Sequence, residues 1–272
     1  MITTTQDCRR SQPSQGVGAA VAHAFAAAGC PSLALCDVNA EGVEGTRSSI
    51  MKATSATASP KVVAYVCDVA ELSSVTTAFT KIVSDFGRID YAVNCAGIAS
   101  NGKSSTDCSP EEFDKIHGVN LRGLWFCERE ELRFMTAQTL SSEAYPGIPT
   151  YRAQRGAIVN IASGGAVVGI PFSAAYASSK SGVTSLTRCD AIDYSSHRIR
   201  VNAVLPGLVD TPMTTAVPGQ REMVEQMLVP MIPLKRMAQP EEIADLVTFL
   251  CSHRASYITA GSVVIDGGYT AM

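Results

Sequence analysis

Gly16-Val17-Gly18-Ala19-Ala20-Val21-Ala22-His23-Ala24-Phe25-Ala26, followed shortly by Leu33-Ala34-Leu35-Cys36-Asp37, is the stretch on which the fold turns. A glycine turn opens a small-residue helix, a short apolar run follows, and that run ends on a carboxylate. Backbone N–H groups at such a helix start can approach a pyrophosphate, because no side chain stands in the way and the helix dipole favours an anion there. Asp37 comes nineteen residues after Gly18, the expected place for a carboxylate that accepts hydrogen bonds from adenosine ribose hydroxyls. Its charge would repel a 2′-phosphate, and Val38 and Asn39 bring no cation to offset it. The expected cofactor is NAD(H) rather than NADP(H). The plainer alternative is that Asp37 only caps the helix after it.

The same alternation continues along the chain. Apolar runs at Ser32–Cys36, Lys61–Cys67, Ile89–Asn94, Gly156–Ile161, Arg200–Val204 and Ser262–Ile265 read as buried strands. Between them Gly16–Ala28, Ala40–Thr54, Ser73–Phe86, Pro110–Gln138, Ala174–Ser195 and Pro240–Cys251 read as helices. Pro110-Glu111-Glu112 and Pro240-Glu241-Glu242 are helix openings, since proline is tolerated in the first turn and carboxylates face the positive dipole end. Repeated βα units of this kind build a parallel sheet covered on both faces. With no linker and no fixed-period repeat, residues 1–272 form one expected domain. Ser141–Arg155 reads as a loop. Residues 206–236 break the rhythm just after a strand and carry Met213, Met223, Met227 and Met231. They are either helix core or a substrate lid, because ligands of open α/β sheets bind beyond the carboxyl ends of the strands.

A chemical constellation follows in the second half. Tyr176 and Lys180 lie four apart in a helix and share a face, with Ser163 thirteen residues upstream at the end of a strand. A cation beside a phenol favours phenolate, and one pKa unit is worth about 1.4 kcal/mol, so Tyr176 could become a usable acid or base near neutrality. Taken alone the pair could equally be a tyrosine packed under a surface lysine. Composition narrows the partners. A formal net charge of −3 gives no field for nucleic acid, and no segment has the ~20 apolar residues of a membrane span. The N-terminus lacks the pattern of a signal peptide. Nine cysteines are scattered without metal-ligand spacing, so no metal is expected and a reducing, cytoplasmic setting fits.

The Ser163, Tyr176 and Lys180 spacing resembles the short-chain dehydrogenase/reductase family, and further motifs extend the likeness over about residues 16–270. These are Cys67-Asp68-Val69, Asn94-Cys95-Ala96-Gly97, Val119-Asn120-Leu121, Arg200-Val201-Asn202-Ala203-Val204-Leu205-Pro206-Gly207 and Ile265-Asp266-Gly267-Gly268. The resemblance implies an α/β, Rossmann-like doubly wound parallel sheet. It implies catalytic roles for Ser163, Tyr176, Lys180 and Asn120. Cofactor contacts would come from Gly16, Val17, Gly18, Asp37, Asp68, Val69, Asn94, Ala96, Gly97, Tyr176, Lys180, Pro206, Gly207, Val209 and Thr211. It further implies a homotetramer, with a dimer next, assembled through the two long helices. Without the likeness, Asn120 would read as a helix-kink or packing residue.

The leading expectation is an NAD(H)-dependent oxidoreductase that interconverts a secondary alcohol and a ketone on an apolar small molecule, in specialised (secondary) metabolism. The alternative is a non-redox cyclase, isomerase or dehydratase of the same fold; a non-catalytic scaffold would leave the Ser/Tyr/Lys set without a purpose. The alternative draws on the N-terminus. Aligned with the family's apolar first strand is Asp7-Cys8-Arg9-Arg10-Ser11-Gln12-Pro13-Ser14-Gln15, and Gln12 stands where a glycine should be. Charges buried in a central strand cost several kcal/mol each without partners. Residues 1–15 are therefore not expected to give a regular first strand, and NAD affinity is expected to be weakened. A loop beside a gapped sheet, an unusual start and loss of ordinary cofactor binding are the three explanations, the last disfavoured by the intact Ser/Tyr/Lys/Asn set.

Overall fold

A computed structural model describes residues 2–6, 16–54, 60–100, 102–144, 147–215 and 219–271. Among the described residues seven parallel strands form one sheet: β1 (Ile2–Gln6), β2 (Ser32–Asp37), β3 (Lys61–Val66), β4 (Tyr91–Asn94), β5 (Gly156–Ile161), β6 (Ile199–Pro206) and β7 (Ser262–Ile265). Their spatial order is β3-β2-β1-β4-β5-β6-β7. The chain thus winds outward in one direction from β1 and in the other from β4, and the crevice lies where that order reverses.

The first strand departs from expectation. A regular β1 does form, but it lies upstream of the polar segment, and it pairs on both sides, Thr4 opposite Leu35 of β2 and opposite Val93 of β4. The aligned segment misled because the strand ends at Gln6, before the charged residues begin. Asp7, Arg9, Arg10 and Gln12 lie outside the described residues.

Helices α1 (Val17–Ala27), α2 (Ala40–Ala53), α3 (Leu72–Phe86), α4 (Pro110–His117), α5 (Leu124–Ala137), α6 (Ala174–Asp193) and α7 (Pro240–Cys251) cover the sheet. On one face Val21, Ala22 and Phe25 of α1 and Ile243, Val247 and Leu250 of α7 pack with Leu33, Leu35 and Val159 of the strands. On the other, Val75, Phe79 and Ile82 of α3 and Leu132 and Met135 of α5 pack with Ala34, Ala92 and Ile158. Burial on both faces explains why every residue of β5 and β6 is buried and why these strands read as continuous apolar runs. Both proline openings act as anticipated: Ser109 and Glu112 form a capping box on α4, and Gln239 and Glu242 one on α7.

The expected single helix from Pro110 to Gln138 is divided. A π-turn over Gly118–Gly123 separates α4 from α5, and Asn120 sits inside it. Arg200 of β6, buried, donates to Gln154 Oε1 and to the carbonyls of Leu250, Cys251, Ser252 and Ile258, closing the C-terminal end of α7 onto the sheet.

Candidate active site

Parallel strands deliver their C-terminal ends to one rim, and the candidate residues follow from that. Asp37 ends β2, Asp68 and Val69 follow β3, Ala96 and Gly97 follow β4, Ser163 follows β5, and Pro206, Gly207, Val209 and Thr211 end or follow β6. Gly16, Val17 and Gly18 open α1 on the crevice side of β1. Gly16 has φ 117°, a conformation reserved for glycine, and as N-cap of α1 it brings no side chain, so among the described residues no side-chain cap takes up the first N–H groups. Gly207 is required for a different reason: a Cβ there would lie 2.8 Å from both Cα and Cβ of Asp266, in the turn after β7.

Asp37 is buried and accepts from the Asn39 N–H at 2.8 Å. Asn39, not Asp37, caps α2, through its side chain to the Gly42 N–H at 3.1 Å, so the plain capping reading of Asp37 fails. Asp68 Oδ1 accepts from the Ala70 N–H at 3.0 Å, while the Asp68 N–H donates to Ser74 Oγ. The Asn94 side chain is engaged in the interior. Its Nδ2 donates to Glu131 Oε2 and Asn160 Oδ1, both at 3.0 Å, which leaves only its backbone for the rim.

Ser163 opens a short 3₁₀ turn, its Oγ accepting from the Gly165 N–H at 3.1 Å. Tyr176, near the start of α6, is half-buried, and Ser163 is near enough to its phenol to favour the ionised form. Lys180, one turn on, is buried, and its Nζ donates to the Ile161 carbonyl at 2.8 Å. Burial pushes its pKa down to about 8, with Cys95 opposing weakly. The expected depression of the tyrosine is not what this arrangement produces. Burial raises the Tyr176 phenol above its ordinary value, and Ser163 is what opposes the rise. The ammonium is turned to a strand-end carbonyl, so its effect on the phenol is outweighed.

Asn120 is buried beside this set. Oδ1 accepts from the Ile98 N–H at 2.8 Å, and Nδ2 donates to the Ile98 carbonyl at 3.0 Å and to Ser179 Oγ at 3.2 Å. A Cβ on Gly97 would stand 3.3 Å from Asn120 Oδ1 and 3.4 Å from Lys180 Nζ, so both side chains close on the same piece of strand exit. The motif reading gives no role to Ser179, which lies next to Lys180. It also missed Glu128, fully buried on α5, whose carboxyl accepts from Asn160 Nδ2. Only the three-dimensional pairing of α5 with β5 reveals it.

Beyond β6 the chain forms short helices at Pro212–Thr215 and Gln220–Met223 and further turns to Met231. Met213, Met223, Met227 and Met231 are all exposed, Met227 at 64 %. They are not helix core. Their neighbours Val224 and Ile232 take that place.

A family profile described as enoyl-(acyl carrier protein) reductase matches residues 13–270. The short-chain dehydrogenase anuF of Penicillium roqueforti is 37% identical over 257 residues, 94% of this chain and 92% of its own. Levodione reductase of Leifsonia aquatica is 34% identical over 262 residues, 94% of this chain and 91% of its own. A crystal structure of levodione reductase superposes with a TM-score of 0.84 at 33% identity, covering 99% of this chain and 97% of that one. A 3-ketoacyl-(acyl-carrier-protein) reductase from Brucella melitensis, solved with NADH, gives a TM-score of 0.81 at 28% identity over 99% of this chain and 98% of its own. Whole-length similarity of this kind, in sequence and in fold, leaves one conclusion: the chain belongs to the short-chain dehydrogenase/reductase family and is an oxidoreductase.

Proposed function

We propose that this oxidoreductase is NAD(H)-dependent and interconverts a secondary alcohol and a ketone on an apolar, cyclic small molecule. The observation that carries the reading is the convergence of Ser163, at the exit of β5, with Tyr176 and the buried Lys180 of α6, whose Nζ donates to the Ile161 carbonyl at 2.8 Å, two residues before Ser163. Two features support a dinucleotide at the rim. The start of α1 behind Gly16, uncapped among the described residues, offers N–H groups to a pyrophosphate, and the Asp37 carboxylate at the end of β2 suits a ribose diol and disfavours a 2′-phosphate.

In this reading Tyr176 Oη gives its proton to the substrate oxygen during ketone reduction and takes it back during alcohol oxidation. Ser163 Oγ hydrogen-bonds the same oxygen and stabilises the charge developing there. Lys180 Nζ, titrating near 8 and held on the Ile161 carbonyl one helical turn after Tyr176, would bind the nicotinamide ribose, while Asn120 supports the strand exit at Gly97. The nicotinamide, when bound, supplies the hydride chemistry. The backbones of Val69, Asn94, Ala96, Gly97, Pro206, Gly207 and Val209, with Thr211, complete its binding surface. Residues 206–236 serve as the substrate lid, a role supported by exposed methionines that adapt to apolar ligands of varied shape. Exposed Trp125 on α5 and Ile192 on α6 favour assembly through these helices, as a homotetramer in the cytoplasm.

NADH absorbance, followed while levodione and other cyclic ketones are supplied, tests the reading. Ketone reduction with matching NADH loss is expected. Conversion of a substrate with no absorbance change would replace it with the non-redox alternative.

A further inference from the structure

Ser179 lies between Tyr176 and Lys180 on α6 and is fully buried. Its hydroxyl proton is committed, because Oγ donates to the Tyr176 carbonyl at 2.7 Å. Only a lone pair therefore remains for Asn120, whose Nδ2 approaches at 3.2 Å. That choice fixes which end of the carboxamide is which. With one N–H on Ser179 and the other on the Ile98 carbonyl, Oδ1 is left to accept from the Ile98 N–H. A flipped amide would set oxygen against two acceptors and nitrogen against a donor. Ile98 is thereby held at both backbone groups, and Gly97 before it is held against Lys180 Nζ. The π-turn that carries Asn120 is hydrogen-bonded through this hydroxyl to the helix that carries Tyr176 and Lys180.

We propose that Ser179 is a positioning residue of this site: its hydroxyl orients the Asn120 carboxamide, which clamps the Ala96–Ile98 strand exit beside Lys180 and so sets affinity for the nicotinamide dinucleotide. The effect on affinity rests on the function proposed above; the clamp does not. Ser179 acts on bound dinucleotide only through Asn120, and its removal therefore has nothing to add once Asn120 is gone.

Two readouts on the full chain test this. NADH titration by fluorescence should show Ser179→Ala weakened by about tenfold, Asn120→Ala weakened at least as much, and the double variant no weaker than Asn120→Ala. Hydrogen exchange without NADH should show the Ile98 amide about tenfold faster in Ser179→Ala, with slow core amides unchanged. If Ser179→Ala does not fold, Ser179→Thr and Ser179→Val, alike in shape and different in the hydroxyl, give the same comparison, with the threonine near wild type. An unchanged Ile98 amide, exchange accelerated equally throughout the core, or a Ser179→Ala loss that persists in full beside Asn120→Ala would overturn the inference. A wild-type chain that binds neither NADH nor NADPH would sink the proposed function instead, and the Ile98 exchange alone would then decide the clamp.

Discussion

Replacing Lys180 with methionine should make the protein more stable at neutral pH, and the gain should vanish as the pH rises. The side chain is buried and its pKa falls from 10.5 to about 8 because the charged form has lost its water. At about 1.4 kcal/mol per tenfold change in proton affinity, that gap makes the buried cation cost about 3 kcal/mol at pH 7. The substitution also leaves the Ile161 carbonyl without its 2.8 Å partner, which returns about 1–2 kcal/mol of the gain. A net stabilisation of about 1–2 kcal/mol remains, worth a few degrees in Tm for a chain of this size. The pH dependence is the sharper part. Between about pH 8 and 10.4 the unfolded lysine is protonated and the folded one is not, so the unfolded state binds more protons and wild-type stability climbs with pH. Below pH 8 the full cost is present; above about 10.4 it is gone. Thermal and denaturant unfolding of both proteins across this range would therefore show their difference shift by about 3 kcal/mol, so that the curves cross and the methionine variant is the less stable by about 1–2 kcal/mol above about pH 10.4. Parallel curves, or a methionine variant less stable at pH 7, would refute the reasoning.

Three further outcomes follow from other buried groups and from the strand order. Burial, with Asp190 and Glu131 nearby, pushes the Glu128 carboxyl well above the ordinary carboxylate range; the folded state then keeps a proton that the unfolded state loses above about pH 4.3, and stability falls as pH rises. Glu128→Gln should match wild type near pH 4 and exceed it at pH 7–8 in thermal unfolding, about as those ordinary titration limits require. Arg200→Met strands the carbonyls at the end of α7 and should cost about 3–5 kcal/mol, read as a Tm lower by about 10 °C. Thr4→Pro, in a strand paired on both sides, should cost at least about 3 kcal/mol in denaturant unfolding; a silent substitution would mean that Ile2–Gln6 is not the central strand.

Much of the architecture was legible because its signals are local. β5 and β6 are buried on both faces and announce themselves as apolar runs, and Pro110 and Pro240 with their glutamates mark helix starts that the capping boxes bear out. The first strand was hidden because its neighbours in sequence are polar and its support comes from β2 and β4, far along the chain. The break at Gly118–Gly123 was invisible for a related reason. A π-turn has no periodic signature, and what holds this one is Ile98 and Ser179, remote in sequence. The Tyr176–Lys180 spacing correctly brought the two onto one short stretch of α6, but spacing could not tell where the ammonium points. It donates to Ile161, so burial governs the phenol. The methionines after Pro206 were ambiguous in sequence, and their exposure removes the core reading.

The central claim is that the Tyr176 hydroxyl moves the proton that accompanies hydride transfer. Turnover of Tyr176→Phe, compared with wild type on the cyclic ketone reduced fastest with NADH, tests it most directly. The account predicts kcat lower by about 10²–10⁴-fold, with NADH affinity within about threefold of wild type, because the phenyl ring keeps its packing and loses only the acid. A phenylalanine variant that turns over as fast as wild type would contradict it.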